Sequence, residues 1–303
     1  MQTFNRAASA ALTALVIATL VSASAQAQTQ TQTQTQTQTQ TPASAAASSA
    51  PKGAIKSGAM QHTEHSLTAA VTQAAVVLPA AATGGAVFVG KWADAPATKA
   101  RVPVVVFLHG SSGLRLKAIA DWQVWLASLG VASVAPDSFA LADRATYSSP
   151  VDKDFYEKLH ALRGAEITAA LAAVKQATWA DASRIVLAGT SEGAVAVARY
   201  SGKEFAGRII YSWSCEDNYF VESPKNAIDP DKPVLNVMST VDPYFSQSNS
   251  WVSNASAKGH CGEALRDHKR ATIVLIPGAP HTLITLPAAR SATAAFLQDL
   301  APR

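Results

Sequence analysis

Residues 184–200 read RIVLAGTSEGAVAVARY. The opening apolar run, 184–188, has the β-branched content of a strand buried on both faces. Gly189-Thr190-Ser191-Glu192-Gly193 comes next, and 192–200 has helical spacing. A serine between two glycines at a strand-to-helix junction sits on a strained turn, the nucleophile elbow. The glycines let strand and helix cross closely, and the serine side chain stands clear of both. Ser191 is therefore the candidate nucleophile. The backbone N–H of Glu192 would face a reacting carbonyl.

Outward from this stretch, strand and helix patterns alternate. Strands are expected at 67–78, 86–90, 103–108, 131–135, 184–188, 208–211, 233–238 and 271–276. Helices are expected at 118–129, 155–178, 192–200 and 288–300. Such alternation predicts an α/β fold: a mostly parallel sheet with helices on both faces. Ligands on these sheets bind beyond the carboxyl ends of the strands. The residues just past each strand end are therefore the ones to inspect for chemistry. His109-Gly110-Ser111 comes after 103–108, Asp242 lies four residues past 233–238, and Pro277-Gly278-Ala279-Pro280-His281 comes after 271–276.

A serine hydroxyl is a poor nucleophile until a base takes its proton. His281, after a sharp turn off the last strand, is the best base candidate. His160, His260 and His268 lie in or beside expected helices, which points to exposure. Asp242 would orient His281 and stabilise its charged form, with Glu216 and Asp217 as rival acids. The backbone N–H of Ser111 would pair with that of Glu192 as an oxyanion hole.

The chain order Ser191, Asp242, His281 is that of α/β-hydrolases. The segments HG at 109–110, GTSEG at 189–193, VDPYF at 241–245 and PGAPHTL at 277–283 resemble the dienelactone-hydrolase-like branch. So does Ala135-Pro136-Asp137-Ser138-Phe139, with Arg144 beyond it. The resemblance spans about residues 102–300. It implies an α/β-hydrolase fold with a minimal lid and a Ser-His-Asp triad. Dienelactone hydrolases themselves carry a cysteine nucleophile, so Ser191 favours a serine esterase. The implied reaction cleaves carboxylic esters, small or polymeric, through an acyl-enzyme. A serine peptidase and a non-catalytic binding protein on the same scaffold are the alternatives. Trp213, Tyr219, Phe220, Tyr244 and Phe245 cluster around the site loops and are candidates to line an apolar pocket.

Composition narrows the rest. The 303 residues are 48% hydrophobic and 15% charged, enough apolar content for a full core. A net charge of +4 without a run of Lys and Arg marks no nucleic-acid stripe. No HExxH, Walker loop, GxGxxG or Cys/His cluster appears, so no metal or cofactor is expected.

The N-terminus has Arg6, an apolar run at 10–21, and small residues up to Ala25 and Ala27. It has the pattern of a signal peptide over 1–27. The expected location is secreted or periplasmic, with no membrane span in the mature chain. Residues 28–65, beginning with a Thr-Gln alternation, are expected to be a disordered tether, with the catalytic domain at 66–303. Export to an oxidising compartment makes a Cys215–Cys261 bridge an expectation, against two buried free thiols.

Overall fold

The computed structural model describes residues 52–98, 100–222 and 226–300. The expected signal peptide, 1–27, and the first part of the expected tether lie outside the described residues.

Among the described residues, eight strands form one sheet. In chain order they are β2 (Ala75–Leu78), β3 (Phe88–Lys91), β4 (Val102–Leu108), β5 (Ala132–Ala135), β7 (Ala180–Thr190), β8 (Gly207–Tyr211), β9 (Val234–Ser239) and β10 (Ala271–Ile276). Their spatial order is β10-β9-β8-β7-β4-β5-β2-β3. All neighbours are parallel except β2, which runs antiparallel to both β3 and β5. A second sheet pairs β1 (Ile55–Lys56) with β6 (Thr146–Tyr147), antiparallel.

The main helices are α1 (Glu64–Thr72), α3 (Lys117–Ser128), α4 (Lys153–Gln176), α5 (Glu192–Arg199) and α6 (Pro287–Asp299), with a single turn α2 (Ala80–Thr83). Alternation along β4 shows how they cover the sheet, because successive side chains point to opposite faces. Val104, Val106 and Leu108 join one core with Ile167, Leu171 and Val195 from α4 and α5. Val105 and Phe107 join the other core with Trp122, Leu126 and Phe296 from α3 and α6. Two apolar layers thus sandwich a sheet whose strands carry near-continuous apolar runs. This is the α/β-hydrolase fold.

Two expectations are corrected here. The stretch 67–78 is not a single strand: α1 runs to Thr72, and only Ala75–Leu78 is extended. The helix starts with a reciprocal cap in which the Thr63 side chain accepts from Ser66 N–H and Ser66 Oγ accepts from Thr63 N–H. The expected tether also ends earlier than 65. Residues 52–63 form a strap against the 143–150 loop. Besides the β1–β6 ladder, Ala59 N–H donates to Asp143 O at 2.7 Å, and Ala145 N–H donates to Ala59 O at 2.9 Å. Backbone pairing is indifferent to the polar side chains that suggested disorder.

Candidate active site

Ser191 stands between β7 and α5 with φ 53° and ψ −122°. A non-glycine residue there is strained, and such strain persists only where its surroundings hold it. The flanking glycines explain the crossing. A Cβ on Gly193 would lie 2.4 Å from Leu108 O, and one on Gly189 would lie 2.8 Å from the Gly193 backbone. No side chain fits either contact, so β4, β7 and α5 converge only through glycine. The first N–H groups of a helix lack intrahelical partners. The N–H of Glu192, first residue of α5, is one of these.

His281 Nδ1 donates to Asp242 Oδ2 at 2.7 Å. Asp242 is fully buried, while the His281 side chain keeps 20% exposure. The other carboxylate oxygen, Oδ1, accepts from Tyr244 N–H at 2.9 Å and Phe245 N–H at 3.1 Å. Asp242 is thus held by its own turn, and its remaining oxygen orients the imidazole. The Tyr244 ring packs edge-on against His281 at 4.6 Å.

Ser191 and His281 line one cavity of about 360 Å³ with Gly110, Ser111, Tyr147, Ser149 and Thr190. Tyr219, Phe220, Tyr244, Phe245 and Trp251 supply its aromatic walls. Its lining includes no Asp, Glu, Lys or Arg.

The structure therefore brings Ser191, Asp242, His281 and Ser111 to one edge of the sheet, along with Tyr219, Tyr244 and Phe245. Trp213 is a correction. It is fully buried in the core beside α5 and does not line the cavity. The rival acid Glu216 turns elsewhere, accepting from Lys258 N–H at 2.5 Å and Gly259 N–H at 2.9 Å.

His109 is fully buried and bonded on both sides. Its Nδ1 donates to Gly110 O at 2.7 Å, and its Nε2 accepts from Ser138 N–H at 3.2 Å. Burial and the nearby Arg163 hold it well below its ordinary pKa, so it stays neutral. His160, expected to be exposed, is also buried, stacked on Tyr156 and edge-on to Phe220.

Tyr147, Ser149 and Trp251 were not legible as site residues. Tyr147 and Ser149 sit on the loop that the strap holds, and no strand-end signal marks them. Cys215 and Cys261 form a disulfide with a Cα separation of 4.7 Å. It joins the loop after β8 to the segment between Asp242 and His281.

Beneath the elbow lies a buried charge cluster. Glu192 Oε1 accepts from Arg144 Nη2 at 2.5 Å, and Oε2 accepts from Tyr147 OH at 3.0 Å. Burial alone would raise the Glu192 carboxyl, but Arg144 and then Arg163 outweigh it and hold it below its usual range. Among the described residues, no group of three His, Cys, Asp or Glu side chains could hold a metal ion. No described helix is long and apolar enough to cross a membrane.

No curated protein matches the chain. Among solved structures, esterase PE8 aligns at 20% identity over 68% of this chain and 97% of its own, with a TM-score of 0.47. Est1E from Butyrivibrio proteoclasticus aligns at 18% identity over 66% and 88%, with a TM-score of 0.44. Dipeptidyl peptidase 4 from Porphyromonas gingivalis aligns at 17% identity over 74% of this chain and 35% of its own, with a TM-score of 0.45. The sequence model of the dienelactone hydrolase family matches residues 92–295, which takes in the elbow, Asp242 and His281. The match covers more than half of the chain, and the protein belongs to the dienelactone hydrolase family.

Proposed function

We propose that the protein is a serine hydrolase of carboxylic esters, with Ser191 as nucleophile, His281 as base and Asp242 as orienting acid. Family membership supports an ester hydrolase. The observation that carries the finer reading is the shared cavity: a serine on a strained elbow opens into the same space as a histidine bonded to a buried aspartate.

In this reading Ser191 Oγ attacks the ester carbonyl carbon and its proton passes to His281 Nε2. The N–H groups of Ser111 and Glu192 receive the oxyanion. His281 gives the proton to the departing alkoxide, which leaves as alcohol. Water then attacks the acyl-enzyme, His281 takes its proton, and the acid leaves as Ser191 regains its hydrogen. An aromatic-walled cavity with no Asp, Glu, Lys or Arg in its lining suits an uncharged organic ester.

We further propose that the chain is exported. A disulfide among the described residues supports an oxidising compartment.

Turnover of p-nitrophenyl acetate and butyrate, with a fluorophosphonate label mapped to Ser191, tests the reading. Protein that neither turns over these esters nor takes the label overturns it. Faster cleavage of an amide than of the matched ester would favour a peptidase.

A further inference from the structure

The residue between Ser191 and Gly193 in an elbow needs only its backbone for chemistry. Here its side chain is fully buried. The Glu192 carboxylate sits where three separate parts of the chain meet. Arg144 reaches it from the loop before β6 and also donates to Ser138 Oγ at 2.8 Å and Ala145 O at 3.2 Å. Tyr147, a wall of the cavity, donates to its other oxygen. Arg163 from α4 lies 3.8 Å away.

Arg163 also lies 3.2 Å from both ring nitrogens of His109, the residue that opens the Gly110-Ser111 turn. Its Nε faces Glu166 Oε2 at 3.1 Å, and Glu166 Oε1 contacts His62 Nε2 of the strap at 3.1 Å. Two glutamates and two arginines therefore share one buried cluster, and their side chains are at most 1% exposed. Burying four charges is costly even when they are paired, and apolar side chains of similar volume often stabilise as well or better. The cluster is better explained by what it aligns. Both candidate oxyanion donors attach to it: Glu192 directly, and Ser111 through His109 and Arg163.

We propose that Glu192 is a positioning residue: its carboxylate, clamped by Arg144 and Tyr147, fixes the backbone N–H beside Ser191 and the Tyr147 wall of the cavity in one register. The proposal rests on the serine-hydrolase reading above. An oxyanion donor acts only within a few tenths of an ångström of its target, so loosening the clamp lowers transition-state stabilisation more than substrate binding. A merely structural role would lower the melting temperature and leave the folded protein's chemistry alone.

The test compares wild type with Glu192→Gln for kcat and KM on p-nitrophenyl butyrate. It also compares their affinity for phenylboronic acid, whose adduct on the serine mimics the tetrahedral oxyanion. The expected result is a 10- to 100-fold loss of kcat, a matching loss of boronate affinity, and little change in KM. At least a fivefold loss in both supports the proposal. A smaller loss, or one confined to KM or to the melting temperature, overturns it.

If Glu192→Gln does not fold, Tyr147→Phe decides, since it removes one bond to the carboxylate and keeps the ring. A threefold or greater loss in both kcat and boronate affinity supports the clamp, and anything less overturns it. A wild type without turnover or label at Ser191 brings down the hydrolase reading and this inference together. A labelled, active wild type with unaffected variants brings down this inference alone.

Discussion

The Ser212 hydroxyl donates to the backbone carbonyl of His281 at 2.5 Å. Ser212 lies directly after β8, is fully buried, and has φ 52°. Asp242, past the end of β9, holds the imidazole at 2.7 Å. Two neighbouring parallel strands therefore fix one histidine, β8 by its backbone and β9 by its ring. The glycine-proline turn that carries His281 is stabilised from outside itself.

Ser212→Ala should therefore lower kcat by about fivefold, the equivalent of one net hydrogen bond of about 1 kcal/mol. KM should stay within about twofold, because Ser212 does not line the cavity. Steady-state kinetics on a p-nitrophenyl ester check this, and an unchanged kcat would show that the turn holds His281 without help.

Asp242 and Glu216 separate by what they hold. Asp242→Asn should lower kcat by about 10⁴, because the amide stabilises the wrong imidazole tautomer. Glu216→Gln should leave kcat nearly unchanged and lower the melting temperature by a few degrees, since it weakens a cap on Lys258 and Gly259 N–H. Parallel kinetics and thermal melts on the two variants distinguish them. A reversed ranking would move the orienting acid to the loop after β8.

The candidate site was legible in sequence because its residues sit at strand ends. Ser191, Asp242 and His281 each come after an apolar run, and strand order in a parallel sheet carries all three to one edge. The elbow glycines were legible for the same reason, since backbone contact admits no other residue. Trp213 was misread because an aromatic just past a strand looks the same whether it turns to the pocket or to the core. The strap was missed because its order comes from main-chain pairing with residues 143–150, far away in sequence, and leaves no periodic mark at 52–63. The Glu192 cluster stayed hidden for a related reason. Arg144, Tyr147, Arg163 and Glu166 are ordinary surface types until the fold buries them together.

The disulfide closes a 46-residue separation. In the chain-entropy picture that constraint contributes about 4 kcal/mol. For a domain of this size each kcal/mol corresponds to roughly 2–4 °C, so reduction should lower the melting temperature by about 10 °C. A thiol count on denatured, unreduced protein should give zero, and two free thiols per chain would remove the bridge from the account. Turnover should hold up better than the melting temperature, because neither cysteine lines the cavity.

Glu157 links α4 to the segment just past the Tyr219 and Phe220 wall. It accepts from Arg199 at 2.6 Å and from Glu222 N–H at 2.8 Å. Burial alone would raise its carboxyl, but the nearby His160 ring and hydrogen bonds from Arg199 and the Glu222 backbone outweigh it and lower its pKa. A depressed carboxylate stabilises the fold above its unfolded pKa of about 4.3, and that contribution is lost as pH falls through the lower folded value. Glu157→Gln should thus lower the melting temperature at pH 7. The gap between variant and wild type should narrow steadily below about pH 4. Melts at a series of pH values decide it, and a gap that does not change with pH would mean that the ion pair contributes nothing.

Strain at Ser191 offers a separation of stability from activity. The residue holds φ 53° and ψ −122°, a region open to glycine and costly to other residues. Ser191→Ala and Ser191→Gly both remove the hydroxyl, so both should lower kcat by roughly 10⁴–10⁶. They differ in backbone cost. Alanine keeps the strain, of order 1–3 kcal/mol, whereas glycine releases it and gives back part of the gain as unfolded-state entropy, about 0.5–1 kcal/mol. Ser191→Gly should therefore melt above Ser191→Ala by a few degrees, and at or above wild type. Equal melting temperatures for the two variants would mean that the elbow is not strained. A tenth of wild-type turnover surviving in either would mean that Ser191 is not the nucleophile.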